Sequence, residues 1–265
     1  QFSKPMEIAT WNVNSVRSRQ THICQWLEQT GVDLLCLQET KVVDPDFPRQ
    51  PFEALGYHTS ISGQKSYNGV ALLSREPLQD VIIGFTPVVG AAIAQDFDAQ
   101  KRVISGVIGD VRVGNLYVPN GSAVGSEKYD YKLGWFEVLK AYLKELCKDD
   151  REILMCGDFN IALEDRDIYM PKKPDHIMAS PAERETLTAI LDFGFQDVFR
   201  KFNQEADQFS WWDYRTRGFS RNRGWRIDHI YLTEKLYGQA KRCWIDREPR
   251  GWEKPSDHTP VIVEL

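Results

Sequence analysis

Two mixed β-sheets packed face to face, with helices on the outside, form the α/β architecture that the sequence predicts. Three observations carry it: apolar runs of strand length recur along the whole chain, segments of helical period fall between them, and no Gly/Ser/Pro linker interrupts the series.

The strand-like runs are residues 6–11, 34–37, 70–73, 103–108, 111–118, 153–156, 227–232 and 261–265. Several alternate with polar residues or are rich in β-branched side chains, as half-buried or sandwiched strands are. Helical period is clearest over 131–147, where Trp135, Phe136, Leu139, Tyr142, Leu143 and Leu146 keep three-to-four spacing and share one face. Ser180-Pro181-Ala182-Glu183 is a capping box with proline at the first helical position; Leu187, Ile190 and Leu191 follow it, and Gly194 ends the segment. Val16, Ile23, Trp26 and Leu27 mark a third helix after Asn14-Ser15. Strands outnumber helices and helices punctuate them, which packed sheets with outer helices satisfy.

A chain of 265 residues can bury one large core, and the missing linker favours a single domain from Met6 to Leu265, with residues 1–5 as a short leader or cloning remnant. Apolar content of 42% and charged content of 27% exclude wholesale disorder. No apolar run reaches the roughly 18 residues of a membrane span, and no secretory signal pattern opens the chain, so a cytoplasmic protein is expected. Cys24, Cys36, Cys147, Cys156 and Cys243 are odd in number and far apart, which reads as buried reduced thiols rather than disulfides or a zinc site. The net charge of −5 argues against a passive nucleic-acid binder with a broad basic face. It leaves room for an enzyme that gathers carboxylates around a cation.

Several runs end in polar groups. Ile8-Ala9-Thr10-Trp11-Asn12 and Ile153-Leu154-Met155-Cys156-Gly157-Asp158-Phe159-Asn160 echo one another, and Leu34-Leu35-Cys36-Leu37-Gln38-Glu39 and Ile227-Asp228 have similar character. Strand ends of this kind aim polar side chains at a common rim. Glu39 and Asn12 are metal ligands if their two strand ends meet, and ordinary solvated or turn residues if they do not. In Gly157-Asp158-Phe159-Asn160 the first carboxylate and the second amide lie two residues apart, on one side of an extended segment. Ser256-Asp257-His258 puts a histidine beside short polar side chains, suited to a general base or a transition-state donor, with Asp228 as the carboxylate that orients it. Tyr117 and Asn120 end another run, where a buried strand tyrosine competes with a site phenol. His229, next to Asp228, should face the opposite side and be structural; His22, His58 and His176 read as surface or core residues. Carboxylates, amide oxygens and an oriented histidine are what metal-assisted phosphodiester hydrolysis asks of a protein.

The segment Phe209-Ser210-Trp211-Trp212-Asp213-Tyr214 leads into Arg215, Arg217, Arg221, Arg223 and Arg226, with Trp225 interleaved. Arginines bind phosphate bidentately and aromatics offer a wall for a base or sugar, so this stretch points to nucleic acid.

Taken in order, Trp11-Asn12-Val13-Asn14, Leu37-Gln38-Glu39-Thr40-Lys41, Tyr117-Val118-Pro119-Asn120-Gly121, Gly157-Asp158-Phe159-Asn160, Gly224-Trp225-Arg226-Ile227-Asp228 and Ser256-Asp257-His258 resemble the motif set of exonuclease III and related apurinic/apyrimidinic (AP) endonucleases. The resemblance runs from about Met6 to Leu265. It implies a four-layered, DNase I-like α/β sandwich, a Mg²⁺ (or Mn²⁺) cofactor, cleavage 5′ to abasic sites, and 3′–5′ exonuclease and 3′-end-cleaning activity. The implied partner is double-stranded DNA with abasic sites or damaged or recessed 3′ ends, bound by a monomer. By the same resemblance Asn12, Glu39 and Asp257 lie at the metal, and Asp158 activates water or protonates the leaving group. Asn160, Asn120 and Tyr117 hold the phosphate, and His258 contacts it with Asp228 behind. Trp212 and Trp225 line a pocket for the abasic sugar, with Arg215 on the DNA. The sequence departs from the family pattern at Ser15, where many relatives carry glycine, and over residues 166–180, including Lys172, Lys173 and His176, a region that sets substrate preference in the family. An inositol-phosphate phosphatase, a sphingomyelinase or a DNase I-like nuclease would share the polar set, while a DNA-binding module would not need it.

Overall fold

All eight apolar runs lie on strands of the computed structural model, which describes residues 2–171 and 175–265. They are β1 (Glu7–Asn12), β2 (Leu34–Gln38), β4 (Val70–Ser74), β6 (Val103–Ile108), β7 (Val111–Tyr117), β8 (Glu152–Asp158), β10 (Asp228–Thr233) and β12 (Val261–Glu264). Four more strands join them: β3 (His58–Ser62), β5 (Gln79–Ile83), β9 (Phe195–Asp197) and β11 (Arg242–Ile245). Among the described residues the strands form two six-stranded sheets, ordered β11-β12-β1-β2-β4-β3 and β5-β6-β7-β8-β10-β9. The four strands without an apolar run are the four sheet edges. An edge strand is covered on fewer sides, so it need not be apolar, and β5 is almost wholly exposed.

Both sheets repeat one pattern. Each has a single parallel pair at its centre, β1 with β2 and β7 with β8, and antiparallel neighbours elsewhere. Under this correspondence β1 matches β7 and β2 matches β8. The strand-end echo therefore pairs Glu39 with Asp158 and Asn12 with Tyr117, rather than Asn12 with the end of β8.

Side chains alternate across each strand, so each sheet buries both faces. One face of each meets the other sheet, through Ile8, Leu34, Cys36 and Leu72 on one side and Ile104, Val113, Leu154 and Ile230 on the other. The outer face of the first sheet packs on the helix Gln20–Thr30 through Trp11, Trp26 and Leu27. The outer face of the second packs on the helices Glu127–Leu146 and Pro181–Leu191 through Phe136, Leu139, Leu187 and Ile190. The result is the expected four layers. Both reciprocal bonds of the Ser180/Glu183 capping box are made, and Ser126 caps the longest helix four residues before its periodic stretch begins.

Three expectations shift. Val16 is buried in a loop before its helix, because Asn14 and Ser15 take positive φ values of 45° and 86° and hold the chain in a turn. Cys147 is exposed and Cys24 half-buried, leaving Cys36, Cys156 and Cys243 as the buried thiols. Phe2, ahead of β1, packs against the inter-sheet core. Among the described residues, no helix is long and apolar enough to cross a membrane.

The arrangement gathers strand ends. Chain direction brings the C-terminal ends of β1, β2, β7 and β8 to one rim, together with the start of β10, antiparallel to β8, and the approach to β12, antiparallel to β1. Gly157 is needed there. Its φ is 146°, and a Cβ would lie 1.9 Å from the Leu116 carbonyl oxygen of the neighbouring strand. Gly157→Ala is expected to destabilise the protein by about 2–3 kcal/mol, as overpacking against backbone does. The melting temperature should fall by roughly 5–10 °C; an unchanged transition would contradict the close approach.

Candidate active site

Asn12 closes β1 and is fully buried, with its amide aimed at two carboxylates. Nδ2 donates to Glu39 Oε1 and to Asp158 Oδ2, each at 2.8 Å. Glu39 follows β2 on one sheet and Asp158 ends β8 on the other, so the amide spans both sheets. Glu39 sits in a left-handed turn (φ 52°) whose carbonyl accepts from the Ser15 backbone N–H at 2.8 Å. Ser15 itself takes φ 86°, a conformation that glycine adopts more readily.

The other Asp158 oxygen accepts the Asn160 backbone N–H at 3.0 Å, which fixes the carboxylate plane. Asn160 itself is left-handed (φ 47°), donates Nδ2 to the Val118 carbonyl at 2.8 Å, and accepts from Asn120 Nδ2 at 3.2 Å. Tyr117 ends β7 beside them, with the Arg102 guanidinium 4.6 Å from its ring centre. Burial and the neighbouring Glu39 hold its phenol well above the usual range, so it remains a donor.

His258 approaches from the extended segment just before β12. Its Nδ1 donates to Asp228 Oδ2 at 2.8 Å, and its Nε2 lies 3.6 Å from Asp158 Oδ2. Burial opposes charge on this ring, but the Asp228 carboxylate, and behind it Asp158, push its pKa up to about 10. Burial raises Asp158 to about 7, with Asp228 and Glu39 adding to the effect and His258 opposing it. Ser210 Oγ accepts the backbone N–H groups of Ile227 and Asp228, and Ser256 Oγ donates to the Asn12 carbonyl at 2.6 Å. These two serines lock Asp228 and the His258 loop against the ends of β10 and β1. Ser256 belongs to the Ser256-Asp257-His258 motif, whereas no sequence signal gives Ser210 this role.

Among the described residues, Glu39, Asp158 and His258 offer ligand atoms that all lie within 4.8 Å of one another, a group able to hold a metal ion. Two hard carboxylates suit a hard divalent cation; the Asn12 amide presents its NH2 to both, and its Oδ1 accepts the Asn14 backbone N–H at 3.0 Å. Asp257 is not brought to this group. It points the other way along the extended segment, accepting from Trp211 Nε1 at 3.1 Å and Asn14 Nδ2 at 3.4 Å.

The aromatic and arginine segment divides. Trp212 is fully buried, bonded through Nε1 to Asn222 and packed edge-on against Phe219, so it cannot wall a substrate pocket. Alternation turns Trp211 the other way: it is half-buried, bridges Trp225 and His258 through its backbone and donates Nε1 to Asp257. Arg226 is also buried, paired with Asp167 and Asp197, and is part of the scaffold. Arg215, Arg217, Arg221 and Arg223 remain exposed. Trp225 is half-buried on a cavity of about 790 Å³ that Ile168, Tyr169, His176, Ala179 and Arg184 also line. His176 leans on Trp225 at 4.9 Å between ring centres, a place its sequence setting did not suggest. Lys172 and Lys173 lie outside the described residues. On the opposite flank Tyr117, Asn120, Arg102, Lys128 and Tyr131 line a second cavity of about 570 Å³. His229 is buried, with Nε2 2.6 Å from the Ile161 carbonyl, in the structural position expected of it.

Asp228 is the group that keeps His258 charged. In metal-free Asp228→Asn, the ring's titration midpoint should fall from about 10 to about 7–9, since losing a paired carboxylate shifts such a group by about 1–3. NMR of the imidazole resonances reads this directly, and an unmoved midpoint would show that other charges hold the ring.

Comparison with known proteins supports this geometry. The family model described as Endonuclease/Exonuclease/phosphatase family matches residues 9–258. Exodeoxyribonuclease III of Haemophilus influenzae is 36% identical over 98% of this chain and 100% of that protein. A 3′ phosphatase from Neisseria, solved bound to a product DNA hairpin, superposes with a TM-score of 0.93 at 38% identity, covering 98% of this chain and 99% of that one. An AP endonuclease from Archaeoglobus fulgidus superposes with a TM-score of 0.90 at 38% identity, covering 97% and 98%. The chain therefore belongs to the endonuclease/exonuclease/phosphatase family and, within it, to the exonuclease III group.

Proposed function

We propose that the protein is a divalent-metal-dependent DNA-repair phosphodiesterase, one catalytic domain that cleaves 5′ to abasic sites and trims 3′ ends of double-stranded DNA. The observation that carries this reading is the Asn12 amide shared by Glu39 and Asp158, carboxylates from different sheets placed beside an oriented histidine. Glu39 would hold Mg²⁺, with Mn²⁺ as a substitute, and Asn12 would join it by turning its amide to offer Oδ1 in place of Nδ2. The bound cation neutralises charge on the phosphate and the departing oxygen.

The chain's own groups divide the remaining work. Asp158, raised to about 7 by burial, holds or releases a proton at Oδ2 near neutral pH, within reach of the attacking water or the leaving oxygen. His258, kept charged by Asp228, presents Nε2–H to a phosphate oxygen. The amides of Asn120 and Asn160 and the phenol of Tyr117 supply further donors on the flank away from Trp225. Trp225 walls the cavity that would take an abasic sugar, while Arg215, Arg217, Arg221 and Arg223 lie along the DNA backbone and offset the protein's negative charge. Relatives named for 3′-phosphate and for abasic DNA both match this chain closely, which supports both activities in one site.

Three matched duplexes test the reading: one abasic, one with a recessed 3′ end and one with a 3′-phosphate. With millimolar Mg²⁺ the protein should nick the first and process the other two, and EDTA should stop all three reactions. Asp158→Asn should lower kcat by about 10²–10⁴-fold, the contribution of a positioned acid or base. Normal turnover in that variant would overturn the assigned chemistry.

A further inference from the structure

One buried charge has no part in the chemistry above. Lys132 sits on the apolar stripe of the helix Glu127–Leu146, in register with Trp135, Phe136 and Leu139, and its side chain is wholly sealed from solvent. Burial lowers its pKa, and the Glu183 carboxylate beside it works to keep the charge. An ammonium has three N–H donors, and each has a partner. Nζ is paired with Glu183 Oε2 and donates to the carbonyls of Asn160 at 2.8 Å and Asn120 at 3.1 Å.

Glu183 is equally sealed. Its Oε2 also accepts the Met178 backbone N–H at 3.0 Å, and its Oε1 accepts from Ser180 Oγ at 2.8 Å. Ser180 Oγ in turn lies 2.8 Å from the Tyr129 hydroxyl, back on the helix that carries Lys132. One ion pair therefore joins three segments that the sequence keeps apart. Two carry the Asn120 and Asn160 amides. The third, around residues 177–180, continues into the wall of the Trp225 cavity through Ala179 and His176. Asn160 is left-handed, a conformation that asparagine adopts more readily than most residues, and Lys132 bonds its carbonyl.

We propose that Lys132 and Glu183 form a positioning pair. It aims the Asn120 and Asn160 amides at the scissile phosphate and couples them to the wall of the Trp225 cavity, so that it sets both turnover and the choice between abasic and 3′-phosphate substrates. This rests on the phosphodiesterase reading above, with those two asparagines at the phosphate.

Lys132→Met alone would strand the Glu183 carboxylate, and such a variant can fail to fold for that reason. The decisive variant is Lys132→Met with Glu183→Met. It removes both charges at similar volume, an exchange that buried pairs often tolerate. In the folded double variant, kcat on the abasic duplex should fall about 10–100-fold, the usual cost of losing a supporting contact. KM should change little and the abasic to 3′-phosphate ratio should shift. Rates on both duplexes that match the unmodified protein, or that fall by one common factor, would overturn the proposal.

A second readout is independent of activity. Backbone hydrogen exchange at Asn160 and Ser122, whose N–H groups bond Asp158 and Asn120, should quicken at least about tenfold in the double variant as these loops loosen. Unchanged exchange would overturn the proposal even if no substrate were cleaved. Failure of the unmodified protein on all three duplexes, with exchange altered as expected, would count against the phosphodiesterase reading alone.

Discussion

Everything at the rim depends on how the two sheets are fixed relative to each other. Glu39 and Asp158 belong to different sheets, and an apolar interface alone would not set their spacing, because hydrophobic attraction has no direction. Buried amides supply the direction. Asn115 of β7 reaches across the interface and donates Nδ2 to the carbonyls of Leu37 and Ala71, at 3.0 and 2.9 Å, while its Oδ1 accepts from Gln38 Nε2 at 2.8 Å. Gln38 also donates to Thr10 Oγ1 on β1. Nearer the surface, Asn12 completes the series by bonding Glu39 and Asp158. Each bond is worth only about 1 kcal/mol net, but a buried amide left without partners costs more than it gains when paired, so sliding of the sheets is opposed at every step.

The electrostatics follow from that scaffold. Glu39, Asp158 and Asp228 converge in a protein that is already acidic; His258 stands between the two aspartates, and Lys41 Nζ lies 3.4 Å from Glu39 Oε2. Burial raises Asp158 and the carboxylates raise His258, which stores protons at the site, and the excess of carboxylates suits a divalent cation. The exposed arginines lie on one flank, and Arg102 with Lys128 on the other. A polyanion crossing the rim would meet cationic groups on both sides of the carboxylates.

Much of this was legible in the sequence, for definite reasons. Central strands are buried on both faces, so they appear as apolar runs; β3, β5, β9 and β11 lie at edges and carry no such signature. Strand ends marked by Asn12, Glu39, Asp158, Asp228 and His258 do meet, because two parallel pairs and their antiparallel neighbours send those ends to one rim. Trp211 and Trp212 are indistinguishable by composition, and only strand phase buries the second and frees the first. Arg226 looks like its exposed neighbours until Asp167 and Asp197, from distant segments, claim it. Two signals were present and unused. Asn115 interrupts an apolar run, and Lys132 falls on the apolar stripe of its helix; a polar residue in such a place implies a partner, though the sequence does not say which.

The claim that buried amides set the spacing of the two carboxylates is most directly tested at Asn115, which touches neither the cation site nor the cavities. Mn²⁺ affinity of Asn115→Val, measured by calorimetry on protein shown to be folded by circular dichroism, is the relevant quantity. The account predicts a dissociation constant about 10–100-fold weaker, in the range seen when groups supporting metal ligands are lost. An unchanged constant in the folded variant would mean that the apolar core alone holds Glu39 and Asp158 together, contradicting the account.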